Sequence, residues 1–165
     1  MTKEDLETNL DRIHIWINAS DQKVSIFLSF QGLVITLLFK DIYSWVISSY
    51  STFSNPTWMA FISGGVFVLF SFYKSLLALI PKLEITKTSK SNIYFYTISK
   101  TSLSKYKKIV RDMSNDEYID ELSEQVYSCS KISACKYMHF FDSMLFFVIG
   151  VILFVISYSF FITTI

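Results

Sequence analysis

Three polar side chains of different chemistry, Asn18, Asp21 and Lys23, stand within the stretch NASDQK, and the chain then turns apolar in VSIFLSFQGLVITLLF. An amide, a carboxylate and an ammonium group can cap and bound a helix, or can be held at a membrane surface to sense something. A catalytic reading has less to stand on. His14 and His139 are far from each other and from any acidic or Cys ligand motif. Cys129 and Cys135 are six residues apart, which is neither a CxxC spacing nor part of a ligand-rich cluster, so two buried helical thiols are expected rather than zinc. No base–nucleophile set is visible, so neither an enzyme, a metal nor a cofactor is expected. The remaining polar groups near apolar blocks are Gln31, Lys136, His139 and Asp142. Such residues at membrane depth face protein or water. Asp142 is expected either to pair with Lys136 or His139 on its own helix or to end at headgroup level.

The elements that position these groups belong to a membrane protein. Of 165 residues, 52% are hydrophobic, sixteen are Phe and only 18% are charged. Soluble domains are about 25% charged. The apolar residues collect in three blocks rather than spreading evenly. The start, MTKEDLETNLDR, lacks a basic segment followed by an apolar one, so the first block is expected to be retained as an anchor. No lipidation motif is expected either.

Leu6, Leu10, Ile13 and Ile17 step by four, three and four, which predicts an amphipathic cytosolic helix over 1–22. It runs without Gly or Pro into a first transmembrane helix, 23–40, whose apolar part is short against the roughly 20 residues a bilayer needs. An external connection, 41–56, holds Trp and Tyr among serines, side chains that favour the interface. The second transmembrane helix, 57–81, is stopped by Pro81, and its Gly64-Gly65 pair permits close helix approach. Residues 82–136 form a cytosolic sensing region: a linker, the β-prone or buried apolar run IYFYTIS, and the helical SLSKYKKIVRDM. A capping-box pattern, Ser114 with Glu117, then opens a helix on which Ile119, Leu122, Val126, Cys129 and Ser133 step by three and four. With no breaker before the third transmembrane helix, 137–165, one helix from Ser114 onward would be about 75 Å long.

Lys and Arg set the orientation. Region 82–136 holds ten of the fifteen, the N-terminal segment three and the 41–55 connection none, which predicts a cytoplasmic N-terminus and cytoplasmic central region. That region is basic in KTSK and KYKKIVR and acidic in DEYIDELSE. Its basic half suits either an anionic ligand or nearby anionic lipid. A net charge of +1 without a known motif argues against nucleic acid. The fold class expected is therefore an all-α membrane protein with about three transmembrane helices and long amphipathic helices extending into the cytosol, in an oligomer.

The order of these pieces resembles the membrane effectors of Pycsar systems, the PycTM family. NASDQK is similar to that family's N–x–A–D–x–K-like motif, with Ser20 standing between Ala19 and Asp21. A second span ending near Pro81, IYFYTIS, and DEYIDELSEQVYSCSKISACKYMHFFDS follow in order. The last stretch is similar to the family's acidic helix with Gln-x-Tyr and Ile-x-x-x-Lys-Tyr. The likeness covers about residues 10–155.

The resemblance implies an antiphage role. A separate cyclase makes a cyclic pyrimidine nucleotide, cUMP or cCMP, on infection, and the effector impairs the bacterial inner membrane, aborting infection. On that reading Asn18, Asp21, Lys23 and Lys136 are candidates to contact ribose, base or phosphate. Tyr94, Phe95 and Tyr137 are candidates to stack on the pyrimidine. The implied partners are the nucleotide, the bilayer, the cyclase system and further copies of the chain. A ligand-independent holin-like or toxin-like lytic protein, or a structural subunit of a larger complex, are the competing readings.

Overall fold

The computed structural model describes residues 2–49, 55–80, 92 and 95–164, and all regular structure among them is helical. The helices are α1 (Lys3–Ser49), α2 (Asn55–Leu79), α3 (Phe95–Ser99), α4 (Leu103–Asp112) and α5 (Asn115–Thr164). α1 begins in a reciprocal cap: the Thr2 N–H donates to Asp5 Oδ2 at 2.8 Å and the Asp5 N–H to Thr2 Oγ1 at 3.3 Å. α5 begins in the expected capping box, with the Ser114 N–H donating to Glu117 Oε2 at 2.9 Å and the Glu117 N–H to Ser114 Oγ at 3.2 Å. Each cap satisfies amide donors that the first turn of a helix leaves without partners.

Two expectations change. The stretch expected to leave the helix at residue 41 stays helical through Ser49, because neither Gly nor Pro interrupts it before Pro56. IYFYTIS forms one helical turn from Phe95, with Thr97 and Ile98 half-buried; a short apolar run does not by itself distinguish strand from helix. Tyr94 and the linker at 81–91 lie outside the described residues.

The chain divides into two compact units. The first comprises Met1–Ala19 and Pro81–Ala134. Its core is small: Leu6 and Leu122 are buried, and Leu10, Ile13, Ile17, Ile119 and Val126 are half-buried. Polar contacts tie its helices together. Tyr118 donates to Glu7 Oε1 at 3.1 Å beneath the Lys3 ammonium, which lies 4.6 Å from the ring centre. Asn92 gives both its backbone N–H and its amide to the Glu121 carboxylate, at 2.8 and 2.7 Å.

The second unit, Ser20–Ile80 with Cys135–Ile165, contains helix segments that meet along stripes spaced by three and four. Buried and half-buried positions include Ser20, Val24, Phe27 and Gln31 on α1, and Thr57, Phe61, Gly64, Val68, Ser71, Ser75 and Ala78 on α2. On α5 they include Lys136, Phe140, Ser143, Phe147, Gly150, Phe154 and Ser157. A seven-residue period of this kind keeps one narrow seam facing a partner helix. Edge-on ring contacts fill the wide positions, with Phe27 5.8 Å from Phe140 and 5.5 Å from Phe147, and Phe61 5.5 Å from Phe154.

Candidate functional site

The second unit has its polarity inverted. Gln31, Thr57, Ser71, Ser75, Ser143 and Ser157 are fully buried, whereas Ile26, Met59, Leu69, Phe141 and Val155 are more than half exposed. Water disfavours both halves of that arrangement, and lipid favours both. Among the described residues two helices, Thr57–Leu79 and Asn115–Phe160, are long and apolar enough to cross a membrane.

Small residues let α2 and α5 approach closely. A Cβ placed on Gly150 would lie 2.7 Å from Val68 Cγ2 and 3.0 Å from the Gly64 carbonyl oxygen; one on Gly64 would lie 3.1 Å from the Gly150 oxygen. Gly65 meets nothing within 4 Å, so only the first glycine of the pair serves the contact. One heptad forward on α2 and one back on α5, Ser71 Oγ donates to the Ser143 carbonyl at 2.6 Å and Ser143 Oγ to the Ser71 carbonyl at 2.8 Å. One heptad the other way, Ser157 Oγ donates to the Thr57 carbonyl at 3.1 Å.

Gln31 brings α1 into the same node. Its Nε2 donates to Ser71 Oγ and lies 3.5 Å from Ser143 Oγ, while Ser75 Oγ is placed 3.3 Å from Gln31 Oε1 and 2.6 Å from Ser143 Oγ. Four buried polar side chains thus hydrogen-bond to one another, as hydrocarbon surroundings require.

Charged pairs border this node. Lys74 Nζ donates to Asp142 Oδ2 at 2.8 Å. Of the two partners expected for Asp142 on its own helix, Lys136 is corrected: Lys74 reaches Asp142 from α2, and Lys136 is engaged elsewhere. Six residues along a helix rotate a side chain well away from its partner, and only spacings of three or four meet. Lys136, buried, pairs with Asp21 of α1, and Lys23 Nζ lies 5.8 Å from the Tyr137 ring centre. Four of the sequence candidates, Asp21, Lys23, Lys136 and Tyr137, are thus brought together across α1 and α5. Asn18 is exposed in the first unit, where Phe95 opens α3; Tyr94 lies outside the described residues. Sequence reasoning missed Lys74 and the serines. Their signal was present as Ser71 and Ser75 on the Gly64 stripe, and as Ser143, Gly150 and Ser157 at sevens.

The first unit holds an open groove of about 550 Å³, lined by Asn92, α4 residues including Lys105, Lys108 and Ile109, and the carboxylates Glu117, Asp120 and Glu121. Half of the basic run therefore faces an acidic wall. Among the described residues no cluster of three or more His, Cys, Asp or Glu side chains is arranged to hold a metal ion.

A family model, PycTM, the Pycsar effector protein domain, matches residues 5–163. The chain belongs to the PycTM family. No curated protein and no solved structure matches it. The PycTM match runs from the first turn of α1 to the last of α5, so both compact units lie inside the family domain. Family and apolar helices together mark a membrane protein of antiviral defence, an effector rather than a member of a known catalytic family.

Proposed function

We propose that this PycTM protein is activated by a cyclic pyrimidine nucleotide, cUMP or cCMP, supplied by a separate cyclase, and then impairs the bacterial inner membrane to abort infection. The family match over 5–163 carries this reading. The inverted polarity of the second unit supports it, because that unit suits lipid and its interior holds polar groups that a rearrangement could turn outward. The proposal includes a third span over 23–40, a cytoplasmic N-terminus, assembly of several copies and coupling of ligand binding to a change in helix packing. A ligand drives such a change only by binding one arrangement more tightly than the other. Asn18, Asp21, Lys23, Tyr94, Phe95, Lys136 and Tyr137 remain the proposed nucleotide contacts.

The test is growth and dye uptake in cells expressing the chain with and without an active pyrimidine cyclase. Cyclase-dependent permeability is expected. Killing without the cyclase would support the holin-like reading, and no killing in either case would support a structural subunit. Within the site, Lys23→Ala and Tyr137→Ala are the informative variants, expected to abolish nucleotide-dependent killing while leaving membrane insertion intact. Asp21→Ala is not, since it also leaves buried Lys136 without its counter-charge.

A further inference from the structure

α4 carries a face that its own unit leaves uncovered. None of its ten residues is buried. Leu103 and Val110 are 69% and 55% exposed and share one stripe, with half-buried Tyr106 between them. At about 100° per residue, Lys107 and Arg111 fall within about a quarter turn of Leu103 and border that stripe. Lys105, Lys108 and Ile109 turn instead into the groove. Neither Lys107 nor Arg111 forms an ion pair among the described residues. With four cations against the single carboxylate of Asp112, the helix is basic as well as amphipathic.

An apolar stripe with a cationic border matches the boundary between acyl chains and anionic headgroups. The chain is itself a membrane protein, so such a surface always accompanies it. We propose that α4 docks on an anionic membrane leaflet, with Leu103 and Val110 seated among the acyl chains and Lys107 and Arg111 against lipid phosphates. Docking gives the polar unit its own membrane contact and makes its position sensitive to leaflet charge. The proposal rests on the membrane reading alone and stands or falls independently of any nucleotide.

Amide hydrogen exchange on the full chain tests it, in nanodiscs holding one copy in phosphatidylcholine alone or with phosphatidylglycerol added. The α4 amides are expected to exchange more slowly in the anionic discs and to lose that protection in high salt, while the first turns of α5 exchange alike in both. Lys107→Gln with Arg111→Gln should lower the docked-to-free ratio about thirtyfold, on a contribution of roughly fivefold per cation. Lys107→Arg with Arg111→Lys should retain it. Unchanged α4 helicity by circular dichroism keeps the result from reflecting unfolding. Equal exchange in the two lipids would overturn the proposal. So would protection in neutral discs that appears only with two copies present, which would make a second chain the occupant.

Discussion

Gln31 is fully buried and exchanges hydrogen bonds with two helices, which makes it the most demanding residue in the membrane unit. Gln31→Leu keeps the volume and removes the amide, after which Ser75 and Ser143 still satisfy each other. The expected loss is about 0.6 kcal/mol, the average for hydrogen bonds between helices in lipid, and at most about 1.7 kcal/mol, read as a lower midpoint in SDS-titrated unfolding. The Asp21–Lys136 pair should behave more steeply, because the lysine is buried while about a third of the carboxylate is exposed. Asp21→Ala is expected to destabilise by up to about 3 kcal/mol, and Asp21→Asn combined with Lys136→Met by less, since the second pair leaves no buried charge. Tyr118 gives the first unit a dependence on alkaline pH. Burial, then its hydrogen bond to Glu7, then the Glu7 charge push its hydroxyl above the ordinary tyrosine value of 10.0. A raised value means a contribution fully present below the unfolded value and lost as pH rises through the folded one. Absorbance titration at alkaline pH should show late ionisation that Glu7→Gln brings partway back toward normal, and Tyr118→Phe should flatten the alkaline fall in stability.

At the scale of elements, the α2–α5 crossing depends on two glycines with unequal room. Gly150→Ala drives a Cβ into Val68 and into backbone, whereas Gly64→Ala meets contacts a few tenths of an ångström too close. Overpacking of this kind costs about 1–3 kcal/mol, so Gly150→Ala should fall in the upper part of that range and Gly64→Ala near its foot, by thermal unfolding in detergent. Ser114→Ala removes half of the box that starts α5 and should cost about 1 kcal/mol, seen as faster amide exchange confined to the first turn. That box was legible in the sequence because its chemistry is local: two side chains three residues apart reach each other's amides. The uninterrupted start of α1 and the amphipathic α4 were legible for the same reason. Asp142 was not, because its partner lies on another helix, and sequence distance says nothing about which helices face each other. Ser20 shows how a likeness can be read too literally. It stands as an extra residue in the family motif, yet it is fully buried on the stripe of Val24 and Gln31.

For the whole molecule, the two units follow opposite rules. The first buries Leu6 and Leu122 and holds its helices with charged and hydroxyl groups, as proteins in water do; the second hides serines and shows Ile26, Met59, Leu69 and Phe141. On the proposed function, activity assays should separate the buried node from the proposed nucleotide contacts, both within the second unit. Node variants such as Gln31→Leu are expected to alter permeability with nucleotide binding retained, while Lys23→Ala should lose binding first, by titration of purified protein with cUMP and cCMP. One geometric fact also constrains how this chain can change over generations. Thr57 with Ser157, Gly64 with Gly150, and Ser71 with Ser143 meet at intervals of seven residues on both helices, about 10.5 Å apiece. The two helices therefore carry matching scales. Deleting one residue from α2 between Gly64 and Ser71 turns everything beyond it by about 100° and leaves the rungs on one side facing nothing. Point substitutions can drift at the lipid face, but changes of length are admissible only in whole heptads, made in both helices at once.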